Sequence, residues 1–268
     1  MTTKSNQTKA SPNDEMRSRL GHLGLFGVIA HWQEIDADDV VERIVDFEET
    51  ERRRRSLERR VKAAQIGKMK VMANFEWGWP TKVDRDAIDD LFRLDFVEEA
   101  ANVILVGPNG IGKTMIAKNL AHHAVMNGKS ALFVNAADLM NDLRRPESSS
   151  ALARRLAHYA KPDVLVVDEV GYLAAGDRDG DLFFQLVSRR YEKKPIVITT
   201  NKPFTEWNSV FPNSACAVTL VDRLVHKAEI LLFEGNSYRL KEAKEREEKK
   251  RSTKRPPRSK NSANREIS

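Results

Sequence analysis

The octapeptide Gly107-Pro108-Asn109-Gly110-Ile111-Gly112-Lys113-Thr114 sets glycines, a lysine and a threonine at the spacing that wraps a phosphate chain. Glycines allow backbone conformations and close approaches that a Cβ forbids, so successive N–H groups can converge on phosphate oxygens at a helix N-terminus. Lys113 then reaches the β- and γ-phosphates, and the Thr114 hydroxyl is a ligand for Mg2+. About fifty residues further on, Asp168-Glu169 supplies the matching acidic pair. Asp168 suits the Mg2+ shell, and Glu169 suits the orientation or deprotonation of an attacking water. Thr199-Thr200-Asn201 adds an amide able to hydrogen-bond the γ-phosphate or that water, although Asn201 with Lys202-Pro203 also reads as an ordinary turn. The chemistry implied is binding and hydrolysis of a nucleotide.

These groups need elements to hold them. The apolar run Val103-Ile104-Leu105-Val106 precedes the glycine loop, and a helix-compatible stretch from Met115 to Ala124 follows it. Further β-prone runs are Ala131-Leu132-Phe133-Val134, Val164-Leu165-Val166-Val167 and Ile196-Val197-Ile198-Thr199, with helix-compatible segments between them. This alternation predicts an α/β fold, a parallel sheet flanked by helices, with ligands at the carboxyl ends of the strands. Asp168-Glu169 and Asn201 each fall at such an end.

With 268 residues, 41% hydrophobic and 31% charged, the chain is long enough for one large domain and an appendage. No run reaches the roughly 18 to 20 apolar residues that cross a bilayer. Met1 to Asp14 is polar and lacks the apolar stretch of a signal peptide, which predicts a cytoplasmic protein. The single Cys216 excludes an intramolecular disulfide and a cysteine metal cluster, and reads as a small semi-buried side chain. The net charge of +6 lies wholly beyond residue 240, because residues 1–240 balance to zero. The segment 241–268 is therefore expected to be a mobile basic tail, serving either phosphate backbones or solubility.

Upstream, Asp38-Asp39 opens a helical pattern through Val41, Ile44 and Val45 that runs past Arg52-Arg53-Arg54-Arg55 to Lys62. Arg52, Arg55, Arg59 and Lys62 share one side of that helix, with Leu57, Val61 and Ala64 on another. The stripe is either a contact for DNA or a partner, or a solvated face balanced by Glu48, Glu49, Glu51 and Glu58. Phe75, Trp77 and Trp79, among Gly78 and Pro80, mark a change of character near residue 70. Alternating aromatics of this kind usually pin a linker onto a core, and less often stack on bases. The expected organisation is a helical module at 1–70, a nucleotide domain at 71–240 and the tail at 241–268.

From about Asn74 to Lys241 the chain resembles the IstB family, AAA+ ATPase helpers of insertion-sequence transposition, which are similar in their ATPase core to helicase loaders of the DnaC type. The resemblance rests on Asn102-Val103-Ile104-Leu105-Val106-Gly107-Pro108, Val167-Asp168-Glu169-Val170-Gly171-Tyr172-Leu173, Phe184-Gln185-Leu186-Val187-Ser188 and Arg190-Tyr191-Glu192. It continues in Thr199-Thr200-Asn201-Lys202-Pro203-Phe204, Glu206-Trp207, Val221-Asp222-Arg223-Leu224 and Gly235-Asn236-Ser237-Tyr238-Arg239. Glu48-Glu49-Thr50-Glu51-Arg52 and Ala63-Ala64 extend it more loosely into the helical module. It implies a P-loop AAA+ fold and makes Lys113 and Thr114 the Walker A residues, Asp168 and Glu169 the Walker B pair, and Asn201 the first sensor. Arg223 is implied to be the arginine that one subunit inserts into its neighbour's site; read without the resemblance, it is a helix-surface arginine paired to Asp222 or Glu229. Arg239 is a candidate second sensor. Ile111 and Met115 depart from the family's more usual threonine and histidine, at positions that supply no indispensable phosphate contact.

The function so implied is ATP- and Mg2+-dependent. The protein would oligomerise on duplex DNA, deform it and present it to a transposase. The alternatives are a helicase loader acting on single strands, a small-molecule kinase, and a nucleotide-gated scaffold that hardly hydrolyses ATP.

Overall fold

The computed structural model describes residues 12–32, 39–173, 176, 178–211 and 217–253. Cys216 and the segment 254–268 lie outside them. The chain divides into two units, Met1–Lys62 and Ala63–Ser268.

The first unit contains α1 (Pro12–His22), α2 (Phe26–Ala30) and most of α3 (Asp39–Ala63). Leu20, Leu23, Trp32 and Val45 form its small core, with Met16, Leu25, Val28, Ile29 and Val41 packed around them. Arg19 ties α1 to α3 through Glu49 (3.1 Å) and through Asp46.

The second unit begins with α4 (Arg85–Leu91) and α5 (Asp95–Glu98), then alternates strand and helix. The order is β1 (Asn102–Val106), α6 (Lys113–Met126), β2 (Ala131–Asn135), α7 (Ala136–Arg144), α8 (Ser149–Ala160), β3 (Val164–Asp168) and α9 (Asp179–Arg190). It ends with β4 (Ile196–Thr200), α10 (Trp207–Val210), α11 (Ala217–Val225), β5 (Ala228–Leu232) and α12 (Tyr238–Thr253). The five strands form one parallel sheet in the order β2-β3-β4-β1-β5. The strands β1, β3 and β4 are buried throughout, as their unbroken apolar runs require when helices cover both faces. On one face Ile104, Val106, Leu165, Val167, Ile196 and Ile198 join the core built by α7 to α11; α6 packs along β2, β3 and β4 on the other.

Sequence-level turn chemistry holds these elements in place. Side chains of Asp84, Asn135 and Ser148 accept from the backbone N–H groups of Ala87, Ala137 and Ala151 and so cap α4, α7 and α8. Arg190, 1% exposed, donates to five backbone carbonyls, those of Tyr159, Ala160, Pro162, Asp163 and Pro195. It thereby joins the end of α8, the approach to β3 and the approach to β4.

The structure and the sequence reading differ at three places. The division falls after Lys62 rather than near residue 70, because Ala64 and Ile66 are buried in the second unit and the Ala64 carbonyl accepts from Phe133 N–H at 2.8 Å. The segment expected to be mobile from residue 241 is helical as far as Thr253. Its helix is supported by the pairs Lys241–Glu245 and Glu242–Arg246 at i,i+4, and anchored at its start by Lys241 on Glu76 and Lys70 on Glu242. Strand β5 was not foreseen, since Ile230 and Leu232 are exposed on the sheet edge and Glu229 interrupts the apolar run. Among the described residues no helix is long and apolar enough to cross a membrane.

Candidate active site

The glycine loop leaves β1 and enters α6, whose N-cap Gly112 has φ 108° and offers no side-chain cap. The first N–H groups of α6 are therefore open to an anion. A Cβ at Gly107 would lie 2.4 Å from the Phe233 carbonyl oxygen, so a glycine is needed where the loop passes β5. Lys113 folds back over the loop and donates to the carbonyls of Gly107 (2.6 Å) and Pro108 (2.7 Å). Burial pushes its ammonium down to about 8, against the pull of Asp168 and Glu169. An ammonium that has lost water and gained no carboxylate contact is matched to a phosphate.

Asp168 ends β3 in the next strand but one from the loop. Its Oδ1 accepts from Thr114 Oγ1 (2.9 Å) and from Thr199 Oγ1 (2.5 Å). Burial raises its carboxyl above the usual range, and the two hydroxyl donors oppose that rise. Thr114 and Asp168 together present hard oxygen donors, a set that fits Mg2+. Glu169 follows with φ 64° and ψ 39°, a left-handed conformation uncommon for a side-chain-bearing residue. Its N–H donates to Thr199 Oγ1 (2.9 Å), and its Oε2 accepts from Asn135 Nδ2 (3.1 Å). Asn135 uses its other amide atom to cap α7, which turns its NH2 towards Glu169. Asn201 sits just past β4, and its Oδ1 is buried with no hydrogen-bond partner among the described residues. A Cβ at Gly171 would come within 2.1 Å of that oxygen, so the turn after the acidic pair lies directly on the amide.

These groups surround a cleft of about 360 Å³ lined by Asn109 to Met115, Glu169 and Thr199 to Asn201. The loop residues Gly107 and Pro108 contribute through the carbonyls that hold Lys113. A further wall is built by Phe75, Glu76 and Trp79 facing Tyr238, Arg239 and Glu242 of α12; of these only Arg239, as a candidate second sensor, was expected at the site. The Phe75 ring rests on Gly112, where a Cβ would meet it at 2.5 Å. Trp79 donates to the Asn236 carbonyl (2.8 Å), Tyr238 OH donates to Glu76 Oε1 (2.5 Å), and Lys241 pairs with Glu76 Oε2 (2.6 Å). The aromatic segment therefore does pin chain onto core, and the core it meets is the nucleotide cleft.

Arg223 lies outside this cleft. Its guanidinium donates to Ser188 Oγ and stacks over Phe184 (4.6 Å) and Tyr191 (5.6 Å). The expected alternatives, pairing with Asp222 or Glu229, are replaced by these contacts with and beside α9. In the N-terminal unit half of the basic stripe is neutralised. Arg52 binds Glu48 and the Leu23 carbonyl, and Arg55 binds Glu51. No ion pair to Arg59 or Lys62 is present among the described residues.

The IstB-like ATP binding protein family matches residues 27–246. The chain belongs to this family. It is 35% identical over 209 residues to a protein of Geobacillus stearothermophilus named for ATP binding in insertion sequence IS5376, covering 78% of this chain and 83% of that one. It is 38% identical over 191 residues to the corresponding protein named for IS21 in Pseudomonas aeruginosa, covering 71% and 72%. Among solved structures the crystal structure of DnaI superposes with a TM-score of 0.52 at 18% identity, over 63% of this chain and 93% of that one. The fold is thus that of a P-loop AAA+ domain, and this IstB-like chain is an ATPase whose nucleotide is ATP.

Proposed function

We propose that this ATPase assembles with copies of itself on duplex DNA, remodels it, and recruits or stimulates the transposase of an insertion sequence. The insertion-sequence relatives supply that context. The observation that carries the reading is the placement of Arg223, which does not line its own cleft and is held on Ser188, Phe184 and Tyr191, so a part in hydrolysis would be played in the cleft of another copy. Hydrolysis would then depend on assembly.

Within one subunit the roles follow from the geometry. Lys113 exchanges the carbonyls of Gly107 and Pro108 for the β- and γ-phosphates, while the loop N–H groups hold the remaining oxygens. Thr114 and Asp168 would hold Mg2+, which when bound would neutralise charge on the phosphate oxygens. Glu169 accepts the proton of the attacking water, and Asn201 orients that water by accepting from it at its unpaired amide oxygen, or the γ-phosphate by donating its amide NH2. Arg223 of a neighbouring copy stabilises the charge developing on the transferred phosphoryl group. On DNA, Arg59 and Lys62 are the members of the N-terminal stripe left for phosphate contacts, with Arg52 and Arg55 available only by exchange of their glutamate partners. Bending duplex costs about 1 to 10 kcal/mol, which backbone contacts repeated along an oligomer can offset.

The test is the particle mass of the Glu169→Gln protein with ATP, with and without duplex. Large regular assemblies that require both support the proposal. A monomer indifferent to duplex overturns it, and assembly on single strands alone would favour a helicase loader.

A further inference from the structure

Thr199 lies in the segment leading to Asn201, and its hydroxyl is, among the described residues, the one side-chain group that hydrogen-bonds both members of the acidic pair. It is 1% exposed, near the end of β4, one residue beyond the register pair Val167–Ile198 that aligns β4 with β3. A hydroxyl has one proton to give and lone pairs to receive. Thr199 gives its proton to Asp168 Oδ1 at 2.5 Å and receives the Glu169 N–H at 2.9 Å. Both directions are thus fixed, and no rotation of the side chain preserves either bond.

The second of these bonds falls where the backbone most needs it. Glu169 is held left-handed, a conformation that a residue with a Cβ adopts only when its surroundings impose it. Among the described residues its carboxylate has one side-chain anchor, Asn135, and its backbone N–H has Thr199 as partner. Asp168 differs, because Thr114 also donates to it.

We propose that Thr199 is a positioning residue for hydrolysis, its hydroxyl clamping Asp168 to the left-handed backbone of Glu169 so that the Glu169 carboxylate faces the cleft. This rests on the reading of Glu169 as the group that activates water. Valine has nearly the shape of threonine and neither bond, whereas serine keeps both.

The experiment compares Thr199→Val, Thr199→Ser and Glu169→Gln in the full chain. Thr199→Val should lower kcat by roughly 10- to 100-fold, the scale of a misplaced reacting group, with KM and the affinity for a fluorescent ATP analogue changed less than about twofold. Thr199→Ser should recover most of the lost rate. In the nucleotide-free protein, hydrogen exchange of the peptide spanning residues 168–172 should quicken in Thr199→Val and not in Thr199→Ser. A wild-type kcat in Thr199→Val beside an inactive Glu169→Gln overturns the proposal. So does a rate loss that serine does not recover, or one without faster exchange. A fully active Glu169→Gln would instead fail the reading of Glu169, and the exchange comparison would still report whether the clamp exists.

Discussion

Lys113 carries its charge where burial opposes it, which gives nucleotide binding a pH dependence of known sign. With its ammonium lowered to about 8, the unfolded chain binds more protons than the folded one from there up to the ordinary lysine range. The penalty on the free protein is full below about pH 8 and fades as pH rises through that window. Binding runs the other way, because phosphate needs the ammonium form. Affinity for ATP should be flat below about pH 8 and fall towards tenfold per pH unit above it, as titration with a fluorescent analogue at about pH 7 and about pH 9 would record. Lys113→Ala should lose binding at both. Arg190 poses the same problem away from the cleft, a buried cation that burial pushes down to about 9 and that donates to backbone carbonyls. Arg190→Met leaves those carbonyls without donors and should cost about 3 kcal/mol of stability, read from denaturant unfolding at pH 7, with the cleft residues unchanged.

The strands and helices that carry the acidic pair, the glycine loop and Asn201 were readable because each is a buried apolar run followed by polar residues, a pattern that parallel packing imposes locally. Other parts were not readable, because their causes are not local. Asn135 looks like any helix cap until the fold sets its free NH2 beside Glu169. Phe75 and Trp79 give no sign of which core they meet. The wall they make with Tyr238 and Lys241 joins segments about 160 residues apart, and charge counting alone made the start of α12 look unsupported. Tyr238→Phe or Glu76→Gln should loosen this wall. Because the groups are exposed, the expected effect is modest, about threefold weaker ATP binding with little change in melting temperature. Trp79 reports directly, since its indole N–H is bonded to the Asn236 carbonyl. Its emission should shift when nucleotide enters and shift less in Tyr238→Phe.

At the scale of the molecule, a complete cleft and an arginine placed outside it predict activity that depends on concentration. Arg223→Ala should bind ATP normally and hydrolyse it poorly, by about 100-fold or more. Mixing it with Glu169→Gln should restore part of the rate, since the Glu169→Gln copy lends its Arg223 to a site that still has Glu169; mixtures no faster than their components would count against exchange between copies. Arg59→Ala with Lys62→Ala should weaken duplex binding about equally for all sequences and flatten its salt dependence. The clasp between Glu76 and Lys241 also fixes when in the life of the chain the site exists. These residues are 165 positions apart, so at ribosomal speeds of about 5 to 20 residues per second the second arrives roughly 8 to 33 seconds after the first. The phosphate loop, the acidic pair and Asn201 are all synthesised before then, with one wall of the pocket still missing. A nascent or prematurely ended chain stopping short of α12 therefore has the phosphate loop, the acidic pair and Asn201 without the clasp, and should bind ATP less tightly than one extended through Lys241.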